Sequence, residues 1–301
     1  MDRIDSMAIF VAAAELGSLS AVARRLGMPL ATVSRKVSDL EAHLKARLLS
    51  RSGRRLVLTG PGHSYLAACK RILEDVNEAE RAASGEYSAP KGELIITAPI
   101  VFGRLHLLPV AAEFLKSFPQ IDIRLALTDR VVNLFEEHID LAVRIGTLPD
   151  SSLMATRAGS IRLVISGSPA YFAAHGTPKK PQDLTAHDCI SFEGLTSSNS
   201  WGFVQNKTGI LVAVRSRLKV NTAEAAIDAA IAGIGVTRVF SYQTCDAVNS
   251  GKLALILEDF EPPPVPVSLV YAEHGLVPLK LRAFLDFAVP RLKARLSRKL
   301  A

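Results

Sequence analysis

The stretch "MPLATVSRKVSDLE", residues 28–41, predicts a helix with two unlike faces. Val33, Val37 and Leu40 recur at helical spacing and form an apolar side that needs a core. The opposite side carries Arg35 among small and polar residues. That second face is therefore left either for water or for a binding partner.

Two shorter helices are predicted before this one. Apolar residues at helical spacing over residues 7–14 predict a first helix that ends at Gly17. A second helix follows, which Ser18 or Ser20 can cap, and it ends at Gly27 before Pro29 opens the third. Two helices joined by a tight glycine turn are typical of a helix-turn-helix, whose second helix enters a DNA major groove.

Charge and a hairpin pattern support a DNA partner. The net charge is +7, and residues 1–60 hold ten Lys and Arg against five Asp and Glu. No acid occurs between Glu41 and Glu74, a pattern typical of polyanion binding, although a solvated loop also explains it. The Ser52-Gly53 turn before "RRLVLT" predicts a hairpin with arginines at its tip, a wing beside the helix-turn-helix.

The next segment predicts a helix with a narrow apolar seam. Its apolar residues, spaced 4, 3, 4, 3 and 4 apart, are Tyr65, Cys69, Ile72, Val76, Ala79 and Ala83. A seam two residues wide per heptad suits a partner helix, so dimerisation is predicted. The alternative is a helix packed on its own domain. The segment "ASGEYSAPKG" then reads as a linker.

Beyond Gly92 the pattern changes to short apolar strands that alternate with helices, from "ELIITAPI" to "VSLVYAE". Such alternation is typical of an α/β domain with mainly parallel sheets, here long enough for two lobes. One of the helices is predicted near residues 131–138. The stiff segment "EPPPVPV", residues 261–267, is predicted to cross between lobes rather than to form a buried strand.

Together these features resemble the LysR-type transcriptional regulators over essentially the whole chain. The stretch from "FVAAAELGS" to "LVLTGPG" follows the family signature, and "IDLAVRIG", "SPAYFAAHG", "DLTAHDCISF" and "LVYAE" match more loosely. The resemblance implies a multidomain protein with an α-rich winged helix-turn-helix at 1–60, a long linker helix at 61–90, and an α/β effector domain at 91–301. That domain would have the two-lobed, periplasmic-binding-protein-like (type 2) fold, with lobe I at about 91–160 and 267–301 and lobe II at about 161–266.

The same resemblance implies a function. Such a regulator binds double-stranded operator DNA as a homodimer or homotetramer and activates or represses a neighbouring gene. A small-molecule effector in the cleft between the lobes would control it. RNA polymerase would be a further partner of an activator, and no cofactor, metal or membrane is expected.

The predicted DNA contacts centre on the third helix. Ser34 and Arg35 match the Ser-Arg of the family's recognition helix, whereas Leu30 replaces its common glutamine and can contact a thymine methyl instead. Arg35 is expected to read guanine, while Thr32, Ser34 and Lys36 position the helix on phosphates. The full set, with wing arginines that add affinity more than specificity, is Ser20, Pro29, Leu30, Ala31, Thr32, Ser34, Arg35, Lys36, Arg51, Arg54 and Arg55.

The predicted effector site lies where two helix N-termini meet the carboxyl ends of strands. Unpaired N–H groups and the helix dipole favour an anion there, so a small carboxylate is expected. The expected residues are Thr97, Ala98, Pro99, Val101, Thr128, Arg144, Gly146, Trp201, Asn221 and Thr222. For Thr97, Thr128 and Asn221 helix capping is the alternative, and for Trp201 it is core packing.

Enzymatic, metal-binding and secreted classes fit the sequence poorly. It contains no GxSxG or HExxH motif, its seven histidines show no metal spacing, and its three cysteines form no CxxC pair. Buried free thiols are favoured, with a redox pair between Cys189 and Cys245 as the alternative. No apolar run reaches membrane-spanning length and the N-terminus lacks a signal-peptide pattern, so a cytoplasmic protein is predicted.

Two rival functions use a similar C-terminal fold. A transporter-type solute-binding protein would need an export signal and would not need the first 90 residues. A cleft enzyme would need a catalytic constellation that the motifs do not supply. Both are less consistent with the sequence than a regulator.

Overall fold

The computed structural model describes residues 2–52, 55–84, 89–149, 153–193, 200–272 and 277–297. The chain divides into two compact units, Met1–Ala89 (unit 1) and Pro90–Ala301 (unit 2). Within the described ranges, every helix is too short or too polar to cross a bilayer.

Unit 1 is a small helical domain with one hairpin. Its elements are α1 (Arg3–Leu16), α2 (Leu19–Leu26), α3 (Leu30–Leu44), β1 (Leu49–Ser52), β2 (Arg55–Leu58) and α4 (Gly60–Ser84). Gly17 and Gly27 end α1 and α2 in the left-handed conformation, with φ of 61° and 63°, as predicted. Ser18 caps α2 by accepting a hydrogen bond from the Ala21 N–H, so the first of the two predicted candidates forms this cap.

The core of unit 1 confirms the predicted apolar face of α3. Val33, Val37 and Leu40 are buried, and they belong to one cluster with Phe10 of α1 and Val22 of α2. Burying a side chain of this size contributes on the order of 1.5–3 kcal/mol. The core therefore fixes which side of α3 remains outside.

Glu41 joins the hairpin to α3. Its Oε1 accepts hydrogen bonds from the N–H groups of Leu48 (2.7 Å) and Leu49 (3.0 Å), where β1 begins. The other strand is held by the Leu56 N–H, which donates to the Gly17 carbonyl at 3.0 Å. The hairpin is thus attached both to α3 and to the end of α1.

The first part of α4 packs on unit 1 itself, which corrects part of the predicted dimer seam. The Tyr65 ring lies 5.6 Å from the Phe10 ring, and Cys69 is 0% exposed in the core of unit 1. Because Cys69 is enclosed by its own chain, it is not available to a partner helix. Ile72 and Ala79 are exposed farther along α4, and the side chain of Ala83 lies outside the description.

Unit 2 has the α/β composition that the sequence predicts. In chain order its elements are β3 (Gly92–Ala98), α5 (Ile100–Phe102), a π-helical turn (Gly103–Leu107), α6 (Leu108–Ser117), β4 (Ile121–Leu127), β5 (Leu141–Ile145), β6 (Leu153–Ile161), β7 (Leu163–Gly167), α7 (Pro169–His175), a 3₁₀ turn (Pro181–Ala186), β8 (Asp188–Phe192), β9 (Ser200–Gln205), β10 (Thr208–Ala213), β11 (Arg215–Val220), α8 (Ala223–Ile231), β12 (Val236–Phe240), α9 (Ser241–Asn249), β13 (Ala254–Ile256), a 3₁₀ turn (Glu258–Phe260), β14 (Val265–Ala272) and α10 (Leu279–Ser297).

Two five-stranded sheets form the two lobes. Lobe I has the strand order β4-β3-β5-β14-β6, and lobe II has the order β11-β8-β12-β7-β13. In each sheet one half is parallel, whereas β14 and β7 run antiparallel to their neighbours. The prediction that the sheets are mainly parallel is therefore wrong. After the parallel strands, the chain enters lobe I again as β14, and β7 of lobe II runs opposite to β12. Strands β9 and β10 form a separate antiparallel hairpin.

The stretch between β4 and β5 is not the predicted helix. Residues 134–138 form a turn, and residues 131–133 have no regular structure. Val132 and Leu134 are both buried, a spacing of two that no helix face allows. The Asn133 side chain accepts a hydrogen bond from the Phe135 N–H at 3.0 Å, which stabilises a local turn instead.

The two connections between the lobes are tied by one arginine. Arg162 lies between β6 and β7, and its guanidinium donates two 2.7 Å hydrogen bonds to the Glu261 carboxylate and one of 2.7 Å to Glu258. Glu261 begins the predicted crossover, but residues 265–267 of that segment already belong to β14. The prediction that the whole segment avoids a strand is thus wrong at its C-terminal end.

A pair of glycines at the start of α4 tests the packing of unit 1. A Cβ on Gly62 would lie 2.0 Å from the Leu48 carbonyl oxygen, whereas a Cβ on Gly60 would meet nothing within 4 Å. We expect Gly62→Ala to destabilise unit 1 by about 1–3 kcal/mol, because α4 must move away from β1. Gly60→Ala should leave stability unchanged or slightly higher. Thermal unfolding of both variants checks this, and equal stabilities would contradict it.

Candidate functional site

The outer face of α3 is the first candidate binding surface. Leu30, Ala31 and Arg35 are exposed, with Leu30 at 47%, while Thr32 and Ser34 are half-buried beside the core face. The predicted contacts Ser20, in α2, and Pro29, directly before α3, are also exposed. An exposed apolar residue beside an arginine at the start of one helix suits contact with base edges in a groove.

Lys36 departs from the prediction. Its ammonium forms an ion pair with the Asp5 carboxylate of α1, so its charge is directed towards α1 and is already neutralised. The prediction that Lys36 contacts phosphate is therefore not supported by this geometry. Sequence spacing alone misses this because the partner lies 31 residues away.

The wing arginines are described only in part. Arg51 and Arg55 lie in paired strands, opposite Leu56 and Ser52, but their side chains and all of Arg54 lie outside the described residues. Two exposed arginines that the predicted set omits, Arg24 and Arg25, occupy the last turn of α2. Their position next to the turn before α3 gives unit 1 further positive charge.

Several predicted effector residues have structural roles in lobe I. Thr97 is buried, and its hydroxyl donates to the Ala126 carbonyl at 2.7 Å. Thr128 accepts a hydrogen bond from the Arg130 N–H at 3.3 Å. Ala98 is buried and its carbonyl accepts from the Thr128 N–H. The ends of β3 and β4 lie side by side, as predicted, but the Thr97 and Thr128 hydroxyls already form hydrogen bonds with the backbone.

Both helix starts that were predicted to bind an anion carry a carboxylate of the chain itself. Asp129 accepts a hydrogen bond from the Ile100 N–H at 3.1 Å, directly after Pro99. Burial, with the charge of Glu224 adding to it, raises the pKa of Asp129. At the other start, Thr222 caps α8 and Glu224 lies in its first turn. A third negative charge is disfavoured there, so this geometry argues against a carboxylate effector at these ends.

Of the remaining predicted effector residues, Arg144 and Gly146 lie at the end of β5, Trp201 lies in lobe II, and Asn221 directly precedes the start of α8. Arg144 donates a hydrogen bond to the Val132 carbonyl, and Gly146 follows β5 with a φ of 130°. Trp201 is 1% exposed in the core of lobe II, where the Arg238 guanidinium lies 5.3 Å from its ring. Trp201 is therefore a packing residue, which corrects its assignment to the effector site. Asn221 is exposed before α8.

A cavity of about 220 Å³ lies where the two lobes meet. Lobe I contributes Val101 and residues 104–106. Lobe II contributes Glu224, Ile227, Tyr242, Gln243, Cys245 and Asp246. Of the predicted effector residues, only Val101 lines it. No local motif marks the other lining residues, because they come from three elements that are far apart in the chain.

A π-helical turn shapes the lobe I side of this cavity. Arg104, Leu105 and His106 all lie within it, in the segment Gly103–Leu107. A Cβ on Gly103 would lie 2.2 Å from the end of the Leu127 side chain, so any larger residue there would have to displace that side chain. Single π turns are frequent at functional sites.

The cysteines and acids show no redox or metal centre in the described ranges. Cys189 is buried in lobe II, and burial raises its pKa to about 12, which keeps the thiol protonated and unreactive. Cys245 lines the cavity instead. Among the residues with a described placement, no three His, Cys, Asp or Glu side chains are grouped to hold a metal ion.

Family models match both units. Residues 4–63 match a model described as bacterial regulatory helix-turn-helix protein, lysR family, and residues 88–293 match a LysR substrate binding domain. Together they cover nearly the whole chain. Both describe parts of transcription regulators rather than enzymes.

Whole-length relatives agree with this assignment. An HTH-type transcriptional regulator of Xanthomonas campestris pv. campestris is 35% identical over 94% of this chain and 84% of its own. The regulator CrgA of Neisseria meningitidis is 33% identical over 96% of both chains. A solved structure of CrgA, at 31% identity, covers 96% of this chain and 98% of its own with a TM-score of 0.61. The chain therefore belongs to the LysR family of transcriptional regulators.

Proposed function

We propose that this regulator recognises a specific operator through the outer face of α3, as a homodimer or homotetramer, and responds to a small molecule held between its lobes. The observation that carries the proposal is the core of unit 1, which buries Val33, Val37 and Leu40 and leaves Arg35 exposed on the other side of α3. A protein that reads operator DNA works in the bacterial cytoplasm, and an activator would also contact RNA polymerase.

Within the operator, Arg35 reads guanine and Leu30 contacts a thymine methyl. Ser20, Pro29, Ala31, Thr32 and Ser34 support the helix against the backbone, and Arg51, Arg54 and Arg55 in the wing add affinity for phosphate. Lys36 is removed from this set because Asp5 already pairs with it.

Assembly uses the part of α4 beyond the core of unit 1. Tyr65 and Cys69 pack in that core, whereas Ile72, Val76 and Ala79 continue the same seam with exposed or half-buried side chains. Helical spacing of 4 and 3 between them fits a two-helix contact. Ala83 continues this spacing towards the end of α4.

The effector acts by shifting a conformational equilibrium of unit 2. Binding at the lobe cavity favours the lobe arrangement that fits the ligand, and the dimer or tetramer converts this preference into a change in the spacing of its DNA-reading units. Such a shift requires different affinities for the two arrangements.

Arginine substitutions distinguish base reading from phosphate binding. We expect Arg35→Ala to weaken operator binding by about 1–3 kcal/mol and to lower the preference over scrambled DNA. Arg54→Ala should weaken binding to both DNAs by the same factor. Gel-shift titrations on the two DNAs measure this. Equal losses on operator and scrambled DNA for Arg35→Ala would refute its role as a base reader.

Leu30 should determine one base of the operator. We expect Leu30→Gln to change the preferred pair at that position from a thymine that offers its methyl to an adenine, which an amide reads with two hydrogen bonds. Sequencing of DNA retained by each purified protein shows the preference. Identical enriched sequences for both proteins would place Leu30 outside the groove.

A charge on α4 tests the proposed seam. We expect Ile72→Glu to reduce the assembled fraction in sedimentation velocity, because it places a carboxylate in an apolar contact. Asn77→Glu adds the same charge to an exposed position off the seam and should leave assembly unchanged. Full assembly of the Ile72→Glu protein would show that other surfaces hold the oligomer together.

A further inference from the structure

An ion pair joins α1 to α3 at the edge of the outer face of α3. The Lys36 ammonium contacts the Asp5 carboxylate of α1, and the two side chains are 24% and 42% exposed. A pair this exposed contributes little to stability. Its effect on the charge of α3 is larger, because it neutralises a cation that directly follows Arg35.

The position of the Asp5 carboxylate does not depend on Lys36. Asp5 lies in the first turn of α1, where the helix dipole favours a negative charge. Asp2 caps this turn by accepting hydrogen bonds from the N–H groups of Ile4 (3.1 Å) and Asp5 (3.3 Å). The buried Ser6 hydroxyl also donates to the Asp2 carbonyl at 2.8 Å. The acid is therefore positioned by α1 itself.

Lys36 borders the face of α3 that is proposed to enter the groove. It follows Arg35, so its side chain points about 100° round the helix from the proposed base reader. Phosphates flank the bases of a groove, and a lysine ammonium on its flexible chain binds them as a point charge. The pair with Asp5 directs this ammonium towards α1 instead.

The other acids of α1 and α3 have different surroundings. Glu15 pairs with Lys70 of α4 at 2.8 Å. Glu41 accepts the N–H groups at the start of the hairpin, and Asp39 is exposed. Among the described ion pairs of unit 1, only that of Asp5 involves a cation of α3. Asp5 is therefore the acid that reduces the positive charge of this helix.

We propose that Asp5 lowers the affinity of the regulator for DNA by keeping Lys36 away from phosphates. Asp5 is a positioning residue, which acts through Lys36 and does not itself touch DNA. Because phosphates are the same in every sequence, a missing phosphate contact weakens binding to all DNA alike. The base contacts of Arg35 and Leu30 then account for a larger share of the affinity. The inference rests on the function proposed for α3.

The experiment measures how binding of the full-length protein to a scrambled duplex depends on salt, by fluorescence anisotropy. The logarithm of the binding constant falls with the logarithm of the salt concentration, with a slope of about −0.9 per neutralised phosphate. We expect Asp5→Asn to make this slope steeper by about 0.9 and to tighten binding about fivefold at about 0.1 M salt, because the released Lys36 adds one phosphate contact. Asp5→Glu keeps the charge and should leave both values unchanged.

Two further variants separate this contact from a general change of charge. Glu15→Gln removes a negative charge from the same helix, at a side chain of similar exposure (45%), but releases Lys70 of α4. Because Lys70 lies outside the proposed DNA contacts, Glu15→Gln should leave the slope unchanged. Asp5→Asn combined with Lys36→Gln should return the slope to the wild-type value, since no ammonium remains there to bind phosphate.

Three results would overturn the role of Asp5. They are an unchanged slope in folded Asp5→Asn protein, an equal change of slope in Glu15→Gln protein, and a slope that stays steep in the double variant. Titration of the wild-type protein with operator DNA separates this from the proposed function. A wild-type protein that does not prefer the operator contradicts base reading by α3, whereas the salt slope still measures the role of Asp5.

Discussion

The burial of one face of α3 against α1 and α2 is the constraint on which the function of unit 1 depends. Because Val33, Val37 and Leu40 are fixed in the core, the rotation of α3 about its own axis is fixed as well. Arg35 and Leu30 then lie at defined positions on the exposed side of α3. The base recognition that we propose for this helix thus depends on apolar packing on its opposite side.

In unit 2 the two lobes share a packed apolar boundary in addition to the segments that connect them. One apolar cluster includes Phe102 and Phe114 of lobe I together with Ile190 and Ile227 of lobe II, and Arg162 ties the crossover segments. A packed boundary of this kind favours small sliding motions over a wide hinge opening. The response to an effector is therefore expected to begin as a short displacement at the lobe junction.

Local patterns predicted the helices of unit 1 and the two-faced character of α3, because spacing and glycine caps act within a few residues. They failed where a distant partner decides the outcome. Asp5 redirects Lys36, and the core of unit 1 takes Cys69 from the dimer seam. The directions of β7 and β14 depend on how the chain returns to each sheet. The cavity that contains Tyr242 arises only when the two lobes meet, so no local motif marks it.

The carboxylate of Glu41 limits where base pairs can be inserted in the operator. Its two hydrogen bonds hold the start of the hairpin against α3, so the spacing between the DNA contacts proposed for α3 and for the hairpin is set within each protomer. A base pair inserted inside one half-site would then be rejected, whereas one inserted between half-sites would be met by parts of the oligomer outside this body. Changes in the length of such operators should therefore occur in the spacer between the half-sites.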